Sequence, residues 1–292
     1  MLEVELANLK LKNPLILASG ILGSYVSSLN RIAKHAGAVV TKSVGLVARE
    51  GYRNPCVINY KHGIINAVGL ASPSAEDFAR ELSGFNKMCP LIVSLYASNP
   101  EDFAKLTSYF PMADAFELNL SCPHVKGFGL TVGSDPKLVK SIVESVKSST
   151  DKPVFVKLSF ENIAKIGKAA EEGGADAVVA INTIRGMAID ILSKKPILSN
   201  VSGGVSGEAI KPIALKCVWD LFNEIDIPII GCGGITTWKD VVEFLLAGAT
   251  AVQIGSALFY SYNVFGSIIE GLKSYLRIQG LKVKELIGLA HT

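Results

Sequence analysis

The sequence has few cysteines, and none of them has the spacing of a metal or cluster motif. They are an odd number, lie far apart, and include no C-x-x-C pair. Disulfide frameworks, structural zinc sites and iron–sulfur clusters need closely patterned cysteines, so the spacing argues against all three, and we expect no metal ion. The five residues are Cys56, Cys89, Cys122, Cys217 and Cys232.

The sequence also lacks blocks of like charge, a secretory leader and a uniformly apolar span. Its 29 basic and 26 acidic residues are mixed along the chain and give a net charge of +3, so we expect no nucleic-acid partner. Residues 247–269 carry no charge, but polar residues and glycines interrupt them, which indicates a strand and a helix start rather than a membrane span. Without an N-terminal signal pattern, the expected location is the cytoplasm.

What the sequence does contain is an alternation of short apolar runs and longer helical stretches. Its 292 residues, 49% of them hydrophobic, suffice for the core of one large α/β domain or two small ones. The short runs are rich in Val and Ile, as parallel strands buried on both faces should be. Eight strands are predicted, at Leu15–Ala18, Ala38–Lys42, Leu91–Leu95, Ala115–Leu120, Val154–Leu158, Ala177–Ile181, Pro228–Gly231 and Ala251–Ile254.

Eight strands separated by crossovers predict a (β/α)8 barrel, and no linker divides the chain, so we expect one domain over residues 1–292. Asn8 lies between two short alternating runs, which predicts an N-terminal β-hairpin at the base of the barrel. Asp135 and Pro136 form an N-cap and first-turn pair. Helices are predicted at Asp135–Ser148, Asn162–Glu172, Glu208–Asn223 and Thr237–Ala247.

Residues 117–124, Glu-Leu-Asn-Leu-Ser-Cys-Pro-His, carry the strongest chemical signal. An apolar strand leads into Cys122, and Pro123 cannot continue a sheet ladder, so the thiol follows the carboxyl end of a strand. That end of a (β/α)8 barrel is where active sites lie. A thiol there can serve as nucleophile, general base or redox partner, although cysteine is also a common core residue.

Other polar residues fall at the predicted strand ends, where buried polar groups are costly unless they bind a ligand. They include two lysines, Lys42 and Lys157. The turns Gly233-Gly234 and Gly255-Ser256 follow strands 7 and 8, the usual phosphate site of this fold. Together these residues predict a phosphorylated cofactor with a planar heterocycle.

Motifs along the whole chain occur in an order that resembles the FMN-dependent class 1 dihydroorotate dehydrogenases, with the B subtype most similar. They include Asn13-Pro14, Ala18-Ser19-Gly20, Thr41-Lys42-Ser43, Asn66-Ala67-Val68-Gly69-Leu70, Asn119-Leu-Ser-Cys122-Pro, Val156-Lys157-Leu158-Ser159, Ile181-Asn182-Thr183, Gly203-Gly204-Val-Ser206-Gly207 and Gly233-Gly234-Ile235.

The resemblance implies a role for each matching position. Cys122 would be the catalytic base. FMN contacts are implied at Ser19, Lys42, Ser43, Asn119, Lys157, Ile181, Gly207, Gly233, Gly234, Gly255 and Ser256. Dihydroorotate contacts are implied at Lys42, Asn66, Ala67, Val68, Gly69, Leu70, Asn119, Asn182 and Thr183.

The resemblance also implies an activity and partners. The reaction would oxidise dihydroorotate to orotate in pyrimidine (UMP) biosynthesis. A homodimer core would pass electrons to NAD through a separate subunit with FAD and an iron–sulfur cluster, forming a heterotetramer. This chain has no G-x-G-x-x-G followed by an acidic residue about 20 positions on, so it is not expected to bind NAD itself.

Three departures from the family pattern leave alternatives open. His124 stands where the family usually has asparagine, and the run Ser-Cys-Pro-His (121–124) also resembles the pyrimidine-reducing domain of dihydropyrimidine dehydrogenases, which act on uracil and thymine. Ser94 replaces a flavin-contacting asparagine, and residues 71–74 replace the usual Asn-Pro-Gly. A tRNA-dihydrouridine synthase would share the barrel, FMN and a cysteine, but it should carry a basic face and an added helical domain. A non-catalytic barrel that binds a phosphorylated ligand is a further alternative.

Overall fold

In the computed structural model, which describes residues 1–121 and 133–292, eight parallel strands form a closed barrel. Each strand pairs with the next one along the chain, and the last closes on the first through the register Val252↔Leu15. The predicted (β/α)8 barrel is confirmed, with shifts of one or two residues at some strand ends. The strands are Leu15–Leu17, Ala38–Val40, Leu91–Leu95, Ala115–Asn119, Val154–Leu158, Ala177–Ala180, Ile229–Cys232 and Ala251–Ile254.

Helices cover the barrel with their apolar faces, and four of those described begin at a side-chain cap. Asp135 accepts a hydrogen bond from the N–H of Lys137, with Pro136 in the first turn, as predicted. The described α-helices are Val26–Ala33, Ala75–Leu82, Pro100–Thr107, Pro136–Lys147, Ile163–Glu172, Lys211–Phe222, Trp238–Leu246 and Val264–Gln279. Short 3-10 helices are Glu208–Ile210, Ser256–Phe259, Val283–Leu286 and Leu289–His291.

The N-terminal hairpin is also confirmed. Val4–Leu6 pairs antiparallel with Leu9–Leu11. The two turn residues, Ala7 and Asn8, have φ values of 47° and 67°. Such left-handed turns match the twist of the flanking strands, and asparagine adopts this conformation readily.

A four-stranded antiparallel sheet, which we call the cover sheet, was not predicted. Its spatial order is Ile184–Gly186, Gly203–Ser206, Gly63–Asn66 and Val57–Tyr60. Two segments far apart in sequence meet in it through the register Gly204↔Asn66. A smaller ladder pairs Ile189–Asp190 with Lys195–Pro196.

The uncharged segment 247–269 is not a membrane span. It contains the barrel strand Ala251–Ile254, the 3-10 helix Ser256–Phe259 and the start of helix Val264–Gln279, as the sequence indicated. Within residues 1–121 and 133–292, no helix is both long enough and apolar enough to cross a membrane.

Asp240 connects the start of helix Trp238–Leu246 to Lys211, and its loss is expected to lower stability. Its carboxylate accepts the N–H groups of Thr236 and Thr237 at 3.0 and 2.8 Å and the Lys211 ammonium at 2.7 Å. Burial alone would raise the pKa of this carboxyl, but these partners lower it below its ordinary value.

We expect Asp240→Asn to lower the free energy of unfolding by about 1–3 kcal/mol at neutral pH. The pKa of Asp240 is lower in the folded than in the unfolded protein. Its contribution to the free energy of unfolding is therefore fully present above the unfolded pKa of about 3.9, and it is lost as the pH falls through the pKa of the folded protein. Urea unfolding of both proteins at several pH values measures it. Asp220→Asn, which breaks only the exposed ion pair with Lys216, is the control and should change stability by less than about 1 kcal/mol. Equal losses in both variants would contradict the prediction.

Candidate active site

The carboxyl ends of the barrel strands open into one cavity, which the cover sheet covers from the other side. Val57, Ile64, Asn66 and Ser206 of the cover sheet line it together with the strand ends. Most predicted site residues meet here, namely Ser19, Lys42, Ser43, Asn66, Val68, Gly69, Leu70, Asn119, Lys157, Ile181, Asn182, Thr183, Gly207, Gly233, Gly234, Gly255 and Ser256.

One predicted site residue within the described part of the chain is not part of this lining. Ala67 is fully buried and packs with Ile65 and Leu198 in a small core beneath the cover sheet. Its backbone N–H bonds to the carbonyl of Cys56 at 2.7 Å, so this residue supports the loop from behind. Cys122, like His124, lies outside the described residues, and its role stays a prediction.

A charged cluster lies inside the barrel at the floor of the cavity. Lys157 Nζ donates to Gln253 Oε1 at 2.9 Å and lies 3.9 Å from Glu117 Oε1. Gln253 Nε2 in turn donates to Glu117 Oε2. Burial alone would lower the pKa of Lys157, but its neighbours Cys232 and Glu117 raise it above its ordinary value, so the amine is a cation at neutral pH.

Neither Glu117 nor Gln253 was assigned a role from the sequence. Gln253 could have been noticed in the sequence because it is a polar residue within the otherwise apolar, buried strand Ala251–Ile254. A buried polar side chain is costly without a partner, so its presence there indicates a functional or pairing role. Glu117 gives the same signal within the buried strand Ala115–Asn119. Both side chains are almost completely buried, with relative exposures of 0% for Glu117 and 1% for Gln253.

Hydroxyl and amide groups form a second network on the neighbouring wall. Ser43 Oγ lies 2.9 Å from Ser94 Oγ and 3.2 Å from Ser19 Oγ, and it accepts a hydrogen bond from Asn119 Nδ2 at 3.0 Å. Asn182 Nδ2 donates to Ser121 Oγ at 2.9 Å. The buried Ser94 therefore holds Ser43, and through it Asn119, in place.

The loop 66–70 is shaped by glycine and by a buttressing arginine. Gly69 has a φ of 78°, and Leu70 follows with a φ of 58°. Arg49 Nε donates to the Gly69 carbonyl at 2.9 Å, and a Cβ on Gly69 would lie 2.8 Å from the Tyr52 ring. This conformation directs the loop backbone along the cavity wall, where N–H groups can meet a carboxylate.

The unusual segment 71–74 has a structural explanation. Ser72 exchanges backbone hydrogen bonds with Arg49 at 2.8 and 2.9 Å. Ser74 caps helix Ala75–Leu82 by accepting the N–H of Asp77. The departure from the family pattern therefore serves loop and helix geometry.

The glycine turns after strands 7 and 8 present backbone donors to the cavity. Gly233 and Gly234 have φ values of 136° and 72°. No hydrogen bond within the described residues uses the N–H of Gly234 or Ser256 as its donor. Free N–H groups at a turn and at the start of the 3-10 helix Ser256–Phe259 suit a phosphate group.

Fold and cavity together place the chain among the (β/α)8 barrels that hold a phosphorylated cofactor at the carboxyl ends of their strands. Among the described residues, no group of three or more His, Cys, Asp or Glu side chains is arranged to hold a metal ion.

Comparison with known proteins gives a more specific result. The dihydroorotate dehydrogenase family matches residues 1–276. A protein named dihydroorotate dehydrogenase B (NAD(+)), catalytic subunit, from Archaeoglobus fulgidus is 56% identical, covering 100% of this chain and 99% of the relative. Proteins of the same name from Methanocella arvoryzae and Pyrococcus abyssi are each 51% identical, covering 97% and 99% of this chain and 95% and 99% of the relatives. The chain belongs to the dihydroorotate dehydrogenase family, which confirms the predicted resemblance.

Catalytic subunits of this family bind FMN, the predicted cofactor. The observed cavity fits it. Unused backbone donors at Gly234 and Ser256 match the phosphate, and the buried cation of Lys157 matches the electron-rich edge of a flavin ring.

Proposed function

We propose that this chain is an FMN-dependent catalytic subunit that oxidises (S)-dihydroorotate to orotate in UMP biosynthesis, with residues 1–292 acting as one FMN-binding domain. The family match over residues 1–276 carries the proposal. The convergence of the predicted FMN and substrate residues on one cavity supports it.

The residues of this chain divide into two groups around that cavity. The turns at Gly207, Gly233-Gly234 and Gly255-Ser256 hold the phosphate, while Lys157 faces the flavin ring. Ser19, Ser43 and Ile181 complete the cofactor side. FMN, when bound, supplies the acceptor for the hydride that leaves C6 of dihydroorotate.

On the substrate side, amide groups recognise the pyrimidine ring. Asn66, Asn119 and Asn182 each present a donor and an acceptor, which matches the alternating N–H and C=O groups of the ring. The N–H groups of residues 68–70 receive the carboxylate, with Lys42 as counter-charge and Thr183 beside them. Cys122, by resemblance, removes the proton from C5, a task that suits a thiolate.

The relatives are named as catalytic subunits, which implies a separate partner subunit. We propose that this partner carries FAD and an iron–sulfur cluster and transfers the electrons to NAD, and that two copies of this chain form the core of a heterotetramer. The cysteine spacing and the missing dinucleotide fingerprint support the need for such a subunit.

Purification of the chain alone tests this proposal. We expect a yellow protein with non-covalent FMN whose visible absorbance bleaches when dihydroorotate is added anaerobically. It should then reduce artificial dyes, but not NAD. A colourless protein that cannot be reconstituted with FMN would refute the cofactor assignment, and rapid NAD reduction without a second subunit would refute the partner assignment.

The substrate assignment is tested with alternative reductants, namely dihydrouracil, dihydrothymine and dihydrouridine-containing tRNA. Faster bleaching by any of them than by dihydroorotate would overturn the substrate assignment.

A further inference from the structure

Glu117 is a buried carboxylate that the proposed reaction leaves without a role. It has no exposed surface, and its Oε1 has no hydrogen-bond partner among the described residues. A buried charge is costly unless it is paired, so a carboxylate retained at this position needs a compensating neighbour. The Lys157 ammonium provides this compensating charge, since its Nζ lies 3.9 Å from Glu117 Oε1.

Gln253 connects the two charges and is itself oriented by them. Its carbonyl accepts from Lys157 Nζ at 2.9 Å, and its NH2 group donates to Glu117 Oε2. The reverse orientation would set two donors against each other at Lys157 and two acceptors against each other at Glu117. The carboxylate therefore fixes the amide, and the amide fixes the ammonium.

The ammonium in turn faces the cavity. An ammonium has three N–H donors, and in the described part of the chain Gln253 is the one hydrogen-bond acceptor of Lys157. The group lines the cavity floor beside Cys232 and Asn119. Its remaining donors are available to a ligand in the cavity.

We propose that Glu117 is a positioning residue that, through the Gln253 amide, fixes Lys157 Nζ at the cavity floor as a cation facing the flavin. This inference rests on the proposed function, because it concerns the same cofactor site. Glu117 itself does not line the cavity.

The groups around Lys157 determine how its charge responds to pH. Glu117 faces it from strand Ala115–Asn119, and the Cys232 thiol faces it from strand Ile229–Cys232. Burial raises the pKa of the Cys232 thiol, while the nearby Lys157 acts to lower it. Lys42 lines the same cavity as a second cation. With Glu117 neutralised, burial still lowers the pKa of Lys157, and one of the two groups that raise it is gone.

Sulfite binding to the FMN-loaded protein measures the positive charge at the flavin independently of turnover, since the adduct is anionic and bleaches the visible band. Removing the Glu117 charge leaves Lys157 with a lower pKa than in wild type, so the sulfite affinity of Glu117→Gln should fall relative to that of wild type as the pH is raised from about 6 to about 9. We expect the ratio of the two affinities to change about tenfold over this range. Glu172→Gln removes an exposed carboxylate that pairs with Lys140 and is the matched control.

A ratio of variant to wild-type affinity that does not change with pH would overturn the inference. Gln253→Leu is the second variant, since it breaks the connection and leaves both charges in place. If Glu117→Gln does not fold, Gln253→Leu alone decides: weaker sulfite binding than wild type supports the inference, and unchanged binding refutes it. Failure of the proposed function looks different, because the wild-type protein would then bind no FMN or would not be reduced by dihydroorotate.

Discussion

Replacing Cys122 with alanine is expected to slow flavin reduction by dihydroorotate about 10²- to 10⁴-fold at neutral pH while FMN stays bound. The reason is that the proposed base for the C5 proton would be removed, whereas the cofactor contacts proposed here lie on other residues. Anaerobic stopped-flow bleaching of the flavin measures the rate directly. Cys122→Ser should recover part of the rate at high pH, where a larger fraction of the weakly acidic serine hydroxyl is deprotonated and can act as the base.

Two other cysteines give matched controls for this experiment. Burial raises the pKa of Cys89 to about 12 and that of Cys217 to about 11, so neither thiol ionises near neutral pH. Cys89→Ala and Cys217→Ala should therefore reduce flavin at nearly the wild-type rate. If Cys122→Ala does the same, Cys122 is a structural thiol and the base assignment fails.

Replacing Gly233 with valine is expected to weaken FMN binding about tenfold to a hundredfold. Gly233 has a φ of 136°, which a β-branched residue does not tolerate, and a Cβ there would lie 2.8 Å from the Ala214 Cβ. The turn would move away from helix Lys211–Phe222 and carry its N–H groups out of position. Titration of the apoprotein with FMN measures the loss.

Gly84→Ala provides the control, because a Cβ at Gly84 meets its nearest atom, Val26 Cγ1, at 3.5 Å. This variant should bind FMN as tightly as wild type. Thermal unfolding of both apoproteins separates loss of the site from loss of the fold. Wild-type FMN affinity in Gly233→Val would show that the phosphate is held elsewhere.

The barrel was predictable because its strands are buried and mostly apolar, and several are short continuous apolar runs, as in Ala38–Val40 and Ala177–Ala180. The cover sheet was not predictable in the same way. Its strands have three or four residues, and Gly204 pairs with Asn66 across 138 positions of sequence. Local periodicity contains no information on such a pairing.

In the candidate site, too, some residues could be predicted from the sequence, whereas others depend on contacts between distant parts of the chain. Residues at strand ends, such as Lys42 and Asn182, could be located from the strand pattern and the family resemblance together. Glu117 and Gln253 lie within strands, where the pattern predicts apolar core, and their pairing with Lys157 depends on the closure of the barrel. The role of Arg49 as a support for Gly69 depends equally on how two loops fold against each other.

Because of the cover sheet, the two walls of the cavity are built largely from different segments of the chain. Its strands come from segments 57–66 and 184–206, while Lys157 and the turns Gly233-Gly234 and Gly255-Ser256 belong to the barrel itself. Substitutions in those two segments can reshape part of the substrate wall, including Asn66, without altering a barrel strand. Selection for a different ring compound can therefore act on these segments alone and inherit an intact flavin site, so this architecture is suited to divergence in substrate while the redox chemistry is kept.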